Sequence, residues 1–319
     1  MQSNNINTAA VAAPVKVKKP SKWAMIRRQM YLHRHSYILM APYMILFFLF
    51  TVIPVVVSFL LSFFYFNMLE FPRFIGWDNY TRLLLNDDVF MIALKNTLFF
   101  AIITGPVSYF ACFIFAWIIN ELSPKVRAFM TLVFYAPSIS GNVFFIWLIV
   151  FSGDQYGYLN GFLMRIGLIL EPVQWLNDER YVLTIVILVQ LWMSLGTSFL
   201  AFIAGLQNID KSLIEAGAVD GIKNRWQELW FIVLPSMRPM LMFGAVMQIT
   251  QAFAVSDVAM ALAGFPSVNY AAHTIVTHLI DYGTIRFEMG YASAIATFLF
   301  LLMVGTNKLT QKLLRKIGD

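Results

Sequence analysis

Apolar runs free of Asp, Glu, Lys and Arg divide the chain. Six of them cover residues 36–69, 96–120, 128–153, 181–209, 239–256 and 289–307. A bilayer core about 30 Å thick takes about 20 helical residues at 1.5 Å each. The runs reach or approach that length; the fifth is the shortest and extends at either end at modest cost. In hydrocarbon the backbone polar groups must pair within the protein, which only helices and closed barrels achieve. No stretch alternates apolar and polar residues over about ten positions, as a barrel strand would. The pattern predicts an all-α, polytopic membrane protein with six transmembrane helices. Their expected limits are about 37–67, 91–120, 127–152, 180–206, 237–260 and 289–308. A basic arm (1–36) precedes the membrane domain (37–311), and a basic tail (312–319) follows it.

A seventh charge-free run covers 258–280, but it contains Gly264, Phe265, Pro266, Ser267, Asn269, His273, Thr274, Thr277 and His278. It is too polar for a span and reads as an external loop with a short helix. Charge agrees. Cytoplasmic loops collect lysine and arginine. The N-terminal arm holds Lys16, Lys18, Lys19, Lys22, Arg27, Arg28 and Arg34. The second loop has Lys125 and Arg127; the fourth has Lys211, Lys223, Arg225 and Arg238; the tail has Lys308, Lys312, Arg315 and Lys316. These are 17 of the 23 basic residues. The odd loops hold Arg73, Arg82, Arg165, Arg180 and Arg286, and Lys95 lies at a helix end. Both termini are therefore expected in the cytoplasm, and a seventh span would put the basic tail outside. The net charge of +6 reads as topology and attraction to anionic headgroups, with no nucleic-acid partner. The first run is too long for a signal-peptide core, and no small-residue cleavage site follows it, so the N-terminus is expected to be retained. Residues 1 to about 20 read as disordered, and 22–37 as an amphipathic helix on the inner surface.

Composition narrows the chemistry. Of 319 residues, 59% are apolar and 13% charged, against roughly 25% charged in soluble domains; an ordinary soluble enzyme is excluded. The single cysteine, Cys112, lies in an apolar run and reads as a buried small side chain. There is no G-x-x-x-x-G-K-[ST], H-E-x-x-H or G-x-S-x-G pattern. His273 and His278, five apart, do not share a helical face and read as surface or loop residues. No metal, no bound cofactor and no catalysis are expected of this chain. None of the acids falls near the middle of an expected span, and Asp257 lies near the outer surface. An ion-coupled carrier usually keeps ionisable groups at that depth, although backbone carbonyls can also hold sodium. An ion-coupled secondary carrier and a non-catalytic membrane scaffold are the alternatives to the reading that follows.

The loop at 207–235 carries the strongest signal. Ser212 and Glu215 have capping-box spacing. Ala216, Gly217 and Ala218 keep the following helix thin. Gly221 can end it in a left-handed conformation, and Asn224 can cap a second helix. Trp226, Leu229, Trp230 and Val233 recur at helical spacing as one apolar stripe. Pro235 is expected to stop this helix before the next span. By physics alone such a stripe serves a lipid surface as well as a protein groove.

The loop resembles the EAA motif of bacterial ABC importer permeases: Glu-Ala-Ala, three residues, Gly, nine residues, Ile, one residue, Leu-Pro. Glu215, Ala216, Gly221, Leu234 and Pro235 match. Asp220 and the string Arg225-Trp226-Gln227 are similar to the carbohydrate-uptake branch. So are Ala41-Pro42 at the start of the first span and Gly76-Trp77-Asp78-Asn79-Tyr80 in the first external loop. Two features depart from the pattern: Gly217 replaces the second alanine, and the glycine-to-proline interval is one residue longer. The resemblance implies a type I permease subunit whose cytoplasmic coupling helix seats in a groove of an ATPase. Glu215 would pair with a basic group there, and Gly217, Asp220, Arg225 and Trp226 belong to the same coupling surface. It further implies a second, related permease chain, two ATPase subunits that bind ATP and Mg, an external solute-binding protein, and an oligosaccharide or similar polyhydroxylated solute. For the pathway, neutral polar and aromatic residues at depth are candidates: Tyr135 and Asn142 around Pro137 and Gly141, Gln190 and Ser194, then Gln248, Gln251 and Phe253, with Asp257 at the outer end. Each serves equally as interhelical hydrogen-bonding glue.

Overall fold

Helices make up about three quarters of the computed structural model, which describes residues 22–315. The expected disordered segment and the last tail residues, 316–319, lie outside the described residues. Among the described residues, five helices are long and apolar enough to cross a membrane, and six if the bent third pair counts as one. They are Arg34–Leu61, Asp88–Asn120, Pro124–Ile139 with Val143–Val150, Val182–Gln207, Arg238–Ala263 and Met289–Leu313. All six fall where the charge-free runs place them.

The chain divides into two units, Met1–Val57 and Ser58–Asp319. In the first, the expected surface helix is shorter: Lys22–Leu32 ends at His33, whose backbone leaves the helical region, and the first span starts at Arg34. This span is apolar along nearly its whole length. A helix apolar all round needs lipid or another subunit around it.

In the second unit the 33-residue helix Asp88–Asn120 is the central pillar, packed against the fourth and fifth spans. Cys112, Phe113 and Ala116 meet Phe199, Phe202 and Ile203 of the fourth span in one cluster, which continues into Leu229, Val233 and Met237. Cys112 is fully buried, as expected. Where the fourth and fifth spans cross, a Cβ on Gly244 would lie 2.3 Å from the Phe202 ring. Only glycine permits that approach, the small-residue packing of helices in lipid.

Three spans are broken. The third bends by 84° at Ser140-Gly141-Asn142, where Gly141 takes φ +56; Pro137 and Gly141 predict this break. The fourth is interrupted between Met193 and Thr197 and the fifth between Phe253 and Asp257. The sixth is unbroken and runs as helix Met289–Arg315, so the helix continues into the expected tail.

The run 258–280 forms no span of its own and holds more helix than the one short helix expected of it. It forms Asp257–Ala263, the turn Val268–Tyr270 and the helix Ile275–Ile280. Val258, Ala259, Leu262 and Ile275 are buried in the bundle. Four of the polar residues that disqualify it as a span, His273, Thr274, Thr277 and His278, are buried and bond one another. Against the start of the sixth span, a small hairpin pairs Phe64 with Phe74 and Tyr65 with Arg73. The Asn79 amide donates to the carbonyls of Ser62 and Phe64 (2.9 and 3.0 Å). The string around Asn79 is thus a structural clamp.

Candidate coupling loop and solute pathway

The loop 207–235 folds as two short helices and a turn. The first, Lys211–Val219, is capped by Asp210, whose carboxylate accepts the Ser212 N–H at 2.9 Å. This displaces the expected capping box: Asp210 has the extended backbone that a cap requires, and Ser212 falls inside the first turn. The C-terminus closes as expected. Gly221 takes φ +97, the Ile222 N–H donates to the Gly217 carbonyl at 2.9 Å, and the Gly221 N–H to that of Ala218 at 3.4 Å. This is the Schellman pattern. Asn224 then caps the second helix by accepting the Gln227 N–H at 2.9 Å.

The second helix changes pitch. Residues Leu229–Val233 form a π-helical turn, which holds one residue more than an α-turn. The interval between Gly221 and Pro235 is longer than the motif by one residue, and the π-turn accommodates it. The phase shift also splits the expected apolar stripe. Leu229 and Val233 are buried, while Trp226 and Trp230 are 67% and 62% exposed. Pro235 does not end the helix. It occupies the first turn of Leu234–Ser236, where no N–H is required, and the backbone breaks at Met237.

Glu215, Ala216 and Asp220 are exposed and Gly217 is buried. The loop is fastened to the bundle through its second helix. Arg225 bridges Glu121, just beyond the second span, at 2.7 Å and Glu228 at 2.8 Å; these carboxylates, Glu228 first, raise the guanidinium pKa. The Trp226 ring meets Trp117 of the second span with centroids 5.3 Å apart.

The pathway candidates separate into two groups. At the breaks, a Cβ built on Gly196 would lie 3.5 Å from Gln251 Nε2 and 3.6 Å from Ser138 Cβ, so the third, fourth and fifth spans converge there. Asn142 is exposed at the third break and Asp257 at the fifth, and Gln190 is half-buried one turn before the fourth. The other candidates pack. Gln248 is 3% exposed and donates to Cys112 Sγ (3.1 Å) and to the Ser194 carbonyl (3.2 Å), tying three spans together. Phe253 is buried in the cluster with Ala101 and Tyr291, and Tyr135 packs against the cluster around Phe199. Gly196 is absent from the sequence-based set because a glycine in an apolar run gives no polar signal. A separate apolar groove of about 440 Å³ lies among the second, fifth and sixth spans, lined by Ile102, Tyr109, Ile249 and Leu313.

The end of the bundle opposite the loop holds a buried polar cluster. Asp87 caps the second span, accepting the Phe90 N–H at 2.8 Å. Its other carboxylate oxygen meets His278 Nε2 at 3.1 Å and accepts from the Tyr291 hydroxyl at 2.7 Å. His278 Nδ1 lies 3.3 Å from His273 Nε2, and His273 Nδ1 lies 3.2 Å from Thr277 Oγ1. Burial pushes the Asp87 carboxyl up, but the hydrogen bonds from His278, Tyr291 and Phe90 outweigh it and hold it well below the usual carboxylate range. Burial, then the neighbouring His278, push His273 down to about 4. The two histidines are therefore buried partners, which corrects their reading as surface residues; His273 does lie in a loop, and His278 in the helix Ile275–Ile280. Thr274 caps the helix Ile275–Ile280, and that cap brings His273 back onto His278 across their five-residue spacing.

Comparison with known proteins agrees with this architecture. Residues 120–318 match the family described as binding-protein-dependent transport system inner membrane component. The chain is 34% identical over 277 residues to the probable ABC transporter permease protein YesP of Bacillus subtilis (strain 168), covering 85% of this chain and 86% of the relative. It is 28% identical to the arabinooligosaccharides transport system permease protein AraP of the same organism, with 87% of each chain covered. In fold it is similar to a chain of a bacterial alginate ABC transporter crystallised with an alginate pentasaccharide-bound periplasmic protein. The TM-score there is 0.74 at 22% identity, covering 92% of this chain and 98% of that one. Likeness over this length, on a bundle of the same fold, places the chain in the family of inner membrane components of binding-protein-dependent transport systems, the permease subunits of ABC importers.

Proposed function

We propose that this permease subunit forms one half of an alternating-access pore for an oligosaccharide or related polyhydroxylated solute. A second, related permease chain supplies the other half. Two copies of an ATPase bind ATP and Mg and dock under the loop, and an external solute-binding protein delivers the solute. Both termini and the loop 207–235 face the cytoplasm of a bacterial inner membrane. Closure of the ATPase pair presses the loops together and opens the bundle outward; hydrolysis resets it. This chain performs no covalent chemistry.

One observation carries the reading. The loop is a preassembled two-helix unit, exposed at Glu215 and Ala216 and tied to the second span through Arg225 and Trp226. A groove-binding helix needs small residues at closest approach beside anchoring side chains, and a force on it needs a route into the bundle. The convergence of Ser138, Gly196 and Gln251 at three helix breaks supports a polar pathway there, since interrupted helices at depth expose backbone groups to a solute. The oligosaccharide class rests on relatives such as the arabinooligosaccharides permease. Reconstitution tests it: solute uptake requires ATP, both permeases, the ATPase and the binding protein. Uptake without the ATPase, driven by an ion gradient, contradicts the proposal.

A further inference from the structure

The two helices of the loop meet where Ile232, which stands in the motif's Ile-x-Leu-Pro string, packs against Gly217, which departs from the motif. Gly217 is buried in the middle of the first helix. A Cβ added there would lie 2.5 Å from Ile232 Cδ1 and 3.0 Å from Ile222 Cδ1. The tip of the Ile232 side chain thus fills the space that an alanine methyl would take. Ile222 closes the other side of the socket, held by its N–H bond to the Gly217 carbonyl (2.9 Å). Ile232 itself belongs to the π-turn Leu229–Val233. Each residue of a helix turns it by about 100° and advances it by about 1.5 Å. Deleting one residue from the turn would therefore rotate everything before it away from Ile232 and the fifth span.

The chain departs from the motif twice: the glycine in place of the second alanine forms one side of this contact, and the extra residue is taken up in the π-turn that carries Ile232, the other side. We propose that they form one device: Gly217 is the socket and Ile232 the knob of a lock, phased by the π-turn, that fixes the angle between Lys211–Val219 and the helix leading into the fifth span. A displacement of the first helix then moves the second with it. Without the lock the first helix would pivot at Gly221, where the chain turns sharply, and its motion would be lost. Gly217 and Ile232 are positioning residues, and the device rests on the coupling role proposed above.

The test uses the complete assembly in proteoliposomes and reads solute translocated per ATP hydrolysed, with ATPase co-purification as a second readout. Gly217→Ala should lower this ratio about tenfold, because overpacked contacts yield by shifting backbone. Ile232→Val removes the Cδ1 that such a methyl would strike; alone it should cost about twofold through a small cavity. Combined with Gly217→Ala it should restore most of the ratio, or, if Gly217→Ala blocks assembly, restore assembly. An unchanged ratio in Gly217→Ala, or a double variant no better than Gly217→Ala, overturns the lock. Glu215→Lys in the same assembly separates the two claims. Normal transport by Glu215→Lys removes the coupling role itself, whereas its loss beside a silent Gly217→Ala removes only the lock.

Discussion

The two ends of the bundle handle polar groups in opposite ways. At the loop end, Glu215, Asp220 and Lys211 stand exposed around a helix whose only buried residue is Gly217. At the other end, Asp87, His278 and His273 are buried and bond one another. An open polar surface has free hydrogen-bonding capacity and suits a partner. A closed network has spent that capacity inside and holds elements together, here the starts of the second and sixth spans and the helix Ile275–Ile280. The same residue types therefore serve docking at one end and clamping at the other. Substitutions at the first should impair transport with little loss of stability; substitutions at the second should do the reverse.

The largest effect is expected at the loop. Glu215→Lys should lower ATP-driven uptake by about a thousandfold, since reversing one charge of an interfacial pair also leaves its partner unpaired. Gly221→Val should act in the same direction, because φ +97 disfavours any β-branched residue. Both should insert normally, as membrane fractionation and thermal-shift assays in detergent would report. A comparable loss of stability would erase the contrast.

Next is the clamp. Asp87→Ala removes a helix cap and leaves His278 without its carboxylate, and should destabilise the purified protein by about 3 kcal/mol. Transport per folded molecule should change little. A smaller effect follows from His273. Its folded-state pKa lies near 4, against 6.5 for a free side chain, so below pH 6.5 the unfolded chain binds more protons. Stability from this group is complete above about pH 6.5 and falls as pH drops toward 4, by on the order of 3 kcal/mol. Asp87, with its lowered pKa, adds a further loss only below the ordinary carboxylate range. Thermal-shift scans across pH should show the first limb, and His273→Gln should remove it. The smallest effect is expected in the pathway: Gln251→Ala should raise the KM for uptake about fivefold, the loss of about one solute hydrogen bond. Gln248→Ala, by contrast, should lower stability and leave KM unchanged.

How far the sequence reveals these features depends on their range. Spans are legible because a charge-free run is a local property. The third break is legible because Pro137 and Gly141 mark it; the fourth and fifth breaks carry no such pair, and Gly196 gains its meaning only from Ser138 and Gln251 in other spans. In the loop, Gly221 and Asn224 act within a few residues of themselves, so their roles can be read directly. The π-turn cannot, because its phase is decided by whether Ile232 finds Gly217 fifteen positions earlier. The clamp was illegible for the same reason. Asp87 and His278 lie 191 residues apart, and the polarity of 258–280 describes water and buried partners equally well.

Cysteine cross-linking tests the central claim most directly. The one native thiol, Cys112, is buried, so Ala216→Cys adds a single accessible site. With a thiol placed in the groove of the ATPase, the account predicts a cross-link that forms in the assembled transporter, changes in yield when ATP is added, and resists membrane-impermeant reagents applied from outside. Labelling of Ala216→Cys from the outer face, or cross-links that include no ATP-hydrolysing protein, would contradict it.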